Sequence, residues 1–454
     1  MRIHILGIAG TFMAGVAKLA QELGHEVSGS DKNTYPPMDK QLHDLGIEVT
    51  DSQKEKIPPN DAELVIIGNG MTRGTPIVEF ILAEKVNYCS GPDWIQKNIL
   101  YNKKNIVVTG THGKTTVASL IAWLLNDNGI DAGFLIGGVP KNFGISAKIG
   151  KSNYFVIEGD EYDTSFFDKR SKFIHYNPEI LVINNIEYDH SDIFKNLDEI
   201  IKQFHFLLRT MSERTNVIIP DNDKNISGLI NQGCWSQIKK FSDLKGADIQ
   251  FEYRSSESCL KVTPLNKETV TGRTPLLGKH NSANATAAIL ACQTAGLDVE
   301  RSLASLASFK NVSRRLELIG TFNDIKIYND FAHHPTAIVK TIEAISNRIG
   351  SDNRLFVIIE PSSNTMQSGI HEKALKNAFK YECIFLLYDQ ASLNWTKTFA
   401  RNSERFLGLF NQSNEAAEIL TSKVSKGDSI LIMSNGKIQK LINAIIEQIK
   451  QKKG

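Results

Sequence analysis

Apolar and polar positions along this chain follow two periods in alternation. Near-continuous apolar runs at Ile3–Leu6, Leu64–Ile67, Ile180–Ile183, Leu355–Ile359 and Ser429–Met433 have the length and flanking residues of buried strands. Glu26–Ser30, Tyr154–Ile157, Val217–Ile219, Lys326–Tyr328 and Cys383–Leu387 read as further strands. Between them, apolar residues recur at helical spacing. The clearest cases are Phe12–Leu23, the set Val117, Leu120, Ile121, Leu124 and Leu125, the segment Leu197–Arg209, and a closing helix from Lys437 to the end. Strands alternating with helices predict an α/β protein built on mostly parallel sheets.

The chain has 454 residues, more than one hydrophobic core supports. The pattern divides it into three: 1–102, Rossmann-like; 103–312, opening on a phosphate loop; and 313–454, a second Rossmann-like unit. No internal repeat or low-complexity linker interrupts them. Composition leaves this picture unchanged. Both charge signs are mixed and the net charge is +2, so neither nucleic acid nor an anionic membrane is expected as a partner. Five scattered cysteines lack metal or redox spacing and read as reduced. The apolar start is cut by Gly7 and Gly10, which makes it a first strand and not a signal peptide. With no long apolar span, a cytoplasmic protein is expected. The lysine-rich tail after Ile449 reads as a solvated helix end, and nothing signals a particular oligomeric state.

Chemistry enters at Asn105–Thr116, where a strand runs into Gly110, Thr111, His112, Gly113, Lys114, Thr115 and Thr116. A glycine turn before a helix aims backbone N–H groups at one point, where the helix dipole favours an anion. Lys114 adds a charge, and Thr115 offers a hydroxyl to Mg2+. The usual leading glycine is replaced by Val108, so this is a shortened triphosphate loop. Two acidic clusters end later strands, Glu158-Gly-Asp160-Glu161 and Glu187-Tyr-Asp189-His190. In an open parallel sheet both face the phosphate loop. Magnesium needs only one or two carboxylates beside phosphate oxygens, so Glu158 with Thr115 is the expected ion site. His190 is expected to hold a second ion or orient substrate. Gly278, Lys279, His280, Asn281 and Asn284 precede a helix, and suit either adenine recognition or plain capping by Asn281 or Ser282. In the first segment Gly7, Gly10 and Gly15 punctuate the first turn, and Asp31 ends the second strand. Ala9 and Phe12 occupy two fingerprint positions of a dinucleotide site, so a nucleotide diphosphate fits better than NAD.

Taken in order, Gly110–Thr116, Glu158-x-Asp160-Glu161, Asn185-x-Glu187-x-Asp189-His190, Gly278-x-His280-Asn281-x-x-Asn284 and Asp330-Phe-Ala-His333-His334-Pro335 resemble the Mur ligase family over the whole chain. The resemblance implies ATP-dependent amide formation in peptidoglycan metabolism, in three domains for UDP-sugar, ATP and amine. It implies the branch acting on UDP-N-acetylmuramate, whose lactyl carboxylate becomes an acyl phosphate. It assigns Gly7, Gly10, Thr11 and Asp31 to the UDP-sugar, and Arg315 and Asp330 to ATP beside the loop, His280, Asn281 and Asn284. It makes Lys114, Glu158, His190 and His333 catalytic. Asn177 stands where other members carry a carbamylated lysine, so no carbamate is expected.

Two activities of that branch compete. One adds L-alanine in de novo synthesis; the other attaches the recycled tripeptide L-Ala-γ-D-Glu-meso-diaminopimelate. The stretch Glu360-Pro-Ser-Ser363-Asn364-Thr365-Met366 resembles the recycling enzymes. The alanine-adding enzymes have arginines where Ser363 and Met366 stand. Each lost charge-assisted bond is worth roughly 1.5–3 kcal/mol, so free alanine should bind about a hundredfold or more weakly. His334, Ser363, Asn364 and Thr365 are therefore expected at the peptide, with Arg170 shaping its pocket from a run, Asp163–Phe173, that also resembles the recycling enzymes. Asn329 replaces a family aspartate, Ser362 replaces a frequent arginine, and the glycine-rich stretch after Gly436 is missing. A switch NTPase, a dehydrogenase or a non-ligating nucleotide-sugar binder are the alternatives of another class. The first has no use for His333 and His334 on a third domain, and the second lacks its glycines.

Overall fold

The computed structural model describes residues 1–34, 36–254, 258–349, 353–399 and 405–452, which form three α/β domains, each around its own sheet. The N-terminal sheet is parallel, in the order Val49–Asp51, Glu26–Asp31, Arg2–Leu6, Leu64–Ile67, Tyr88–Ser90. Strand order reverses at Arg2–Leu6, the place where such sheets bind ligands beyond their carboxyl ends. Gly7 turns there, and the helix Thr11–Glu22 follows. That helix lies so close to the central domain that a Cβ on Gly15 would sit 2.2 Å from Leu135 Cδ1. Glu22 accepts from the Ile149 amide at 2.8 Å, and Gln41 accepts from the Ser146 hydroxyl at 2.8 Å, fixing the first domain on the second.

The central sheet has Lys104–Thr109 between Ile180–Ile183 and Tyr154–Glu158, all parallel. Asn216–Pro220, Gln237–Ser242 and Ile249–Arg254 extend it in the same direction, and Gly133–Leu135 flanks the other side. Its far edge is an antiparallel addition to this mostly parallel sheet. Cys259–Pro264 and Val270–Arg273 add an antiparallel meander, the first alternating half-buried with buried residues and the second half-buried with exposed ones. The helices Lys114–Asp127 and Lys279–Thr294 pack together against one face, the second so rich in alanine that it is buried along most of its length. Gly278 caps that second helix, correcting the expected cap at Asn281 or Ser282, both of which lie inside its first turn.

The C-terminal sheet runs Ile325–Asp330, Ser429–Met433, Leu355–Ile359, Cys383–Tyr388, Phe406–Phe410 in parallel, with Glu317–Phe322 as an antiparallel edge. Phe356, Phe385, Ile430 and Leu431 are fully buried between its helices, each side chain contributing about 1.5–3 kcal/mol. The final helix is Gln439–Gln451. Its lysine-rich end is tied down, because Lys452 donates to the carbonyls of Thr421 and Val424 at 2.8 and 2.7 Å; the last two residues of that tail lie outside the described residues. Among the described residues, no helix is long and apolar enough to cross a membrane.

Candidate active site

The three domains meet around one cleft of about 2240 Å³. Gly7, Gly10, Thr11 and Asp31 line it from the N-terminal domain. The phosphate loop, Glu158, His190, His280, Asn281 and Asn284 line it from the centre, and Arg315, Asp330, His333 and His334 from the C-terminal domain.

The phosphate loop begins where the buried strand Lys104–Thr109 ends; Val108 belongs to that strand, pairing with Val182 and Glu158. Gly113 adopts φ +82°, and a Cβ there would lie 2.5 Å from Asn184 Nδ2 and 2.7 Å from Asn284 Oδ1, so both conformation and space demand glycine. Two asparagines at the end of the neighbouring strand hold the loop open. Asn185 accepts from the His112 amide at 2.8 Å, and Asn184 donates to the His112 carbonyl at 2.9 Å and to Asn284 at 2.9 Å. Asn284 in turn donates to Asn281 at 3.1 Å. These two helix asparagines thus brace the loop from behind while still lining the cleft.

Lys114 Nζ donates to the Gly110 carbonyl and to Glu161, both at 2.7 Å. Burial works against its charge, but Glu161, Asp160 and Glu158 outweigh it and hold the ammonium protonated above the usual lysine range. The Thr115 hydroxyl donates to Glu158 at 3.0 Å, and the other Glu158 oxygen accepts from the Gly137 amide at 2.8 Å. Hydroxyl and carboxylate side by side are hard oxygen donors, the set that Mg2+ takes. Asp160, Glu161 and His190 form a second convergent set, their ligand atoms all within 4.8 Å of one another. Burial would raise Asp160, yet the charges of Lys172 and Lys114 bring it down to about 2. His190 sits at φ +56°, its amide held by the Asp189 carboxylate at 2.8 Å.

The C-terminal domain closes onto these groups. Arg315 donates to Thr115 Oγ1 at 3.1 Å and lies over the Phe331 ring. Thr336 donates to Glu187 at 2.6 Å, and His333 Nε2 lies 3.6 Å from Asp189. Asp330 lines the cleft, but both its oxygens are taken, by the amides of Leu316 and Ala332 at 2.6 and 2.8 Å. Its work here is to hold the chain where it enters the C-terminal domain. Asn329 is buried beside it, and its Oδ1 has no partner among the described residues.

The residues expected at the peptide divide. His334 reaches the cleft wall. Ser363, Asn364 and Thr365 do not line the cleft; they seal the seam beside it. Asn364 donates to Asp192 at 3.0 Å, Thr365 accepts from the Ser191 amide at 3.2 Å, and Ser363 caps the short helix Asn364–Gln367. Met366 is buried in the domain core. Arg170 is likewise not brought to the cleft, because Asp168 claims it through Nε at 2.9 Å and a second nitrogen at 2.7 Å. The same run does supply the cleft with Lys172, buried, 3.3 Å from Asp160 and over the Phe12 ring. Sequence reasoning did not single out Lys172, Asn184 or Thr336. Thr336 lies in the first turn of the helix Pro335–Ile349, Lys172 opens a short helical turn and Asn184 follows a strand; an isolated polar residue there gives no periodic signal, and only the packing shows where it points.

Models of the Mur ligase family match nearly the whole chain: the catalytic domain over residues 2–102, the middle domain over 108–292 and the glutamate ligase domain over 314–436. The chain belongs to the Mur ligase family. Among individual proteins, it is 41% identical over 459 residues to the UDP-N-acetylmuramate–L-alanyl-γ-D-glutamyl-meso-2,6-diaminoheptandioate ligase of Escherichia coli, covering 99% of both chains. The Haemophilus influenzae ligase of the same name is 39% identical over 452 residues, again covering 99% of each. The crystal structure of a murein peptide ligase from Psychrobacter arcticus superimposes with a TM-score of 0.76 at 36% identity, covering all of both chains.

Proposed function

We propose that this protein joins the amine of L-Ala-γ-D-Glu-meso-diaminopimelate to the lactyl carboxylate of UDP-N-acetylmuramate, using ATP, in cytoplasmic recycling of peptidoglycan. The observation that carries the reading is the single cleft. In it, a nucleotide-diphosphate turn (Gly7, Gly10, Thr11, Asp31), a triphosphate loop and the paired histidines face one another. Full-length relatives bearing that ligase name support the substrate assignment.

The chemistry needs two anions brought together and then one neutral amine. The loop amides, Lys114 and Arg315 cradle the β- and γ-phosphates, and the lactyl carboxylate attacks the γ-phosphorus to give an acyl phosphate and ADP. Catalysis of such a transfer is mainly positioning and charge stabilisation. Thr115 and Glu158 would hold Mg2+, which neutralises phosphate charge when bound; Asp160, Glu161 and His190 suit a second ion. Lys172 lies on the side of Asp160 toward Phe12 of the N-terminal domain, where it attracts the sugar-borne carboxylate. The peptide amine then adds to the acyl carbon, His333 takes the proton it loses, and inorganic phosphate departs. The tripeptide's own alanine carboxylate is already an amide. This suits a segment in which Ser363 is a helix cap and Met366 a core residue, neither presenting a cation.

Phosphate release from ATP with UDP-N-acetylmuramate tests the reading, comparing the tripeptide with L-alanine and weighing the product by mass spectrometry. Turnover confined to the tripeptide is expected. Equal or better turnover with alanine assigns the chain to de novo synthesis, and UDP-sugar binding without turnover makes it a binding protein.

A further inference from the structure

Where the phosphate loop meets the C-terminal domain, away from the Thr115–Glu158 pair, His112 of the loop, Glu187 and His334 bring three Lewis bases together. Glu187 Oε2 lies 3.7 Å from His112 Nε2 and 3.5 Å from His334 Nδ1, and the ligand atoms of all three residues fall within 4.8 Å. Neither contact is a hydrogen bond at that length. His112 Nε2 is buried with no partner among the described residues. His334 is oriented from its far side, with Nε2 3.3 Å from the Tyr188 carbonyl. Nε2 therefore carries the proton, and Nδ1 faces Glu187 as an acceptor; without an ion, Thr336 occupies both bases, its amide donating to Nδ1 at 3.3 Å and its hydroxyl to Glu187 Oε2 at 2.6 Å, bonds that a bound ion would replace. One ring nitrogen donating to a carbonyl while the other offers a lone pair is how proteins orient metal-ligating imidazoles. His371 packs edge-on against His334, ring centroids 4.5 Å apart, and its own Nε2 is buried without a partner among the described residues.

We propose that His112, Glu187 and His334 form a binding site for a borderline divalent transition ion of the Zn2+ class, separate from the magnesium site and assembled only when the C-terminal domain is docked. Two imidazoles and a carboxylate with a fourth position open are zinc donors; Mg2+ prefers an all-oxygen shell. His112 and Glu187 belong to the central domain and His334 to the C-terminal domain, so the ion binds the docked arrangement alone. By linkage it shifts the population toward that arrangement. A ligase that must open to exchange nucleotide and product is slowed by such a clamp. The site itself does not depend on which amine is used.

The test is Zn2+ binding, by competition with a chromogenic chelator, to the full-length chain without nucleotide. It uses a His190→Gln background, so that the Asp160–Glu161–His190 set is disabled. One saturable Zn2+ per chain is expected. Adding His112→Gln or Glu187→Gln should weaken it at least tenfold, and Mg2+ at millimolar concentration should not displace it. Zn2+ should also raise the melting temperature of the background chain and not that of the His112→Gln form. The proposal is overturned by an absence of saturable binding in the His190→Gln chain, by unchanged affinity in the folded His112→Gln form, or by displacement with Mg2+. If Glu187→Gln fails to fold, the His112→Gln comparison decides alone.

Discussion

Arg315 of the C-terminal domain donates to the hydroxyl of Thr115, the residue after the loop lysine, at 3.1 Å. One hydrogen bond thus couples the position of the third domain to the loop proposed to hold the triphosphate. In the ligation cycle that cation would arrive on the phosphates only when the domain docks, and would strengthen its contact as charge develops.

Arg315→Ala is therefore expected to lower kcat about 10–100-fold, the equivalent of one charge-assisted hydrogen bond, while leaving the KM for UDP-N-acetylmuramate within about twofold. Steady-state kinetics with each substrate varied in turn checks it. A loss confined to the UDP-sugar KM would place Arg315 at the wrong substrate.

Lys114 and Glu161 form a buried ion pair at 2.7 Å. Lys114→Ala removes the phosphate cation and strands the carboxylate, so it should abolish ligation and also destabilise the central domain by about 3–5 kcal/mol. The double variant Lys114→Ala/Glu161→Gln should stay inactive yet recover much of that stability. UDP-sugar binding, measured by calorimetry on the folded double variant, should be largely intact, because the residues proposed for it, Gly7, Gly10, Thr11 and Asp31, lie on another domain. Melting curves of the two variants separate the chemical role from the structural one.

Most of the strand framework was legible in the sequence because buried parallel strands are short apolar runs between turns, and Leu64–Ile67, Ile180–Ile183, Leu355–Ile359 and Ser429–Met433 have the bounds read from the pattern. Three-residue edge strands such as Val49–Asp51 and Tyr88–Ser90 escaped, since so few residues show no period. At the site, residues on the loop itself were readable from their order, whereas their supports were not. Asn184 works through a bond to Asn284, 100 residues away, and the sequence gives no sign that Asp330, read there as a ligand, also accepts from two backbone amides. Lys172 and Arg170 lie two residues apart, on either side of Ser171. Only the fold decides that the first reaches the cleft and the second turns to Asp168.

Position 366 offers a check on specificity. Met366 is 1% exposed and packed in the core of the C-terminal domain, so restoring the arginine of the alanine-adding enzymes there buries an unpaired charge. Met366→Arg is expected to lower stability by several kcal/mol and to yield no alanine activity. Ser363→Arg, at a half-buried helix cap, should fold with a loss of about 1 kcal/mol. Denaturant melts together with the phosphate-release assay on both variants test this. Alanine turnover in a stable Met366→Arg protein would show that the segment rearranges.

Burial lowers His4, His25, His175 and His334 as well as the three histidines it depresses most, and so couples stability to acid. Burial brings His112, His280 and His371 each down to about 4, against an ordinary value of 6.5. A depressed histidine resists protonation in the folded state, so the unfolded chain binds more protons between the two values, and stability rises with pH across that window. The contribution is complete above about pH 6.5 and is lost as pH falls toward 4. Nucleotide-free protein is thus expected to melt at distinctly lower temperature at pH 5 than at pH 7. His280→Gln removes one titrating group without adding charge, and should reduce that difference. A melting temperature that is flat from pH 7 to 5, or a His280→Gln protein with an unchanged slope, would mean that the cleft admits the proton without cost and that the imidazole is not sequestered there.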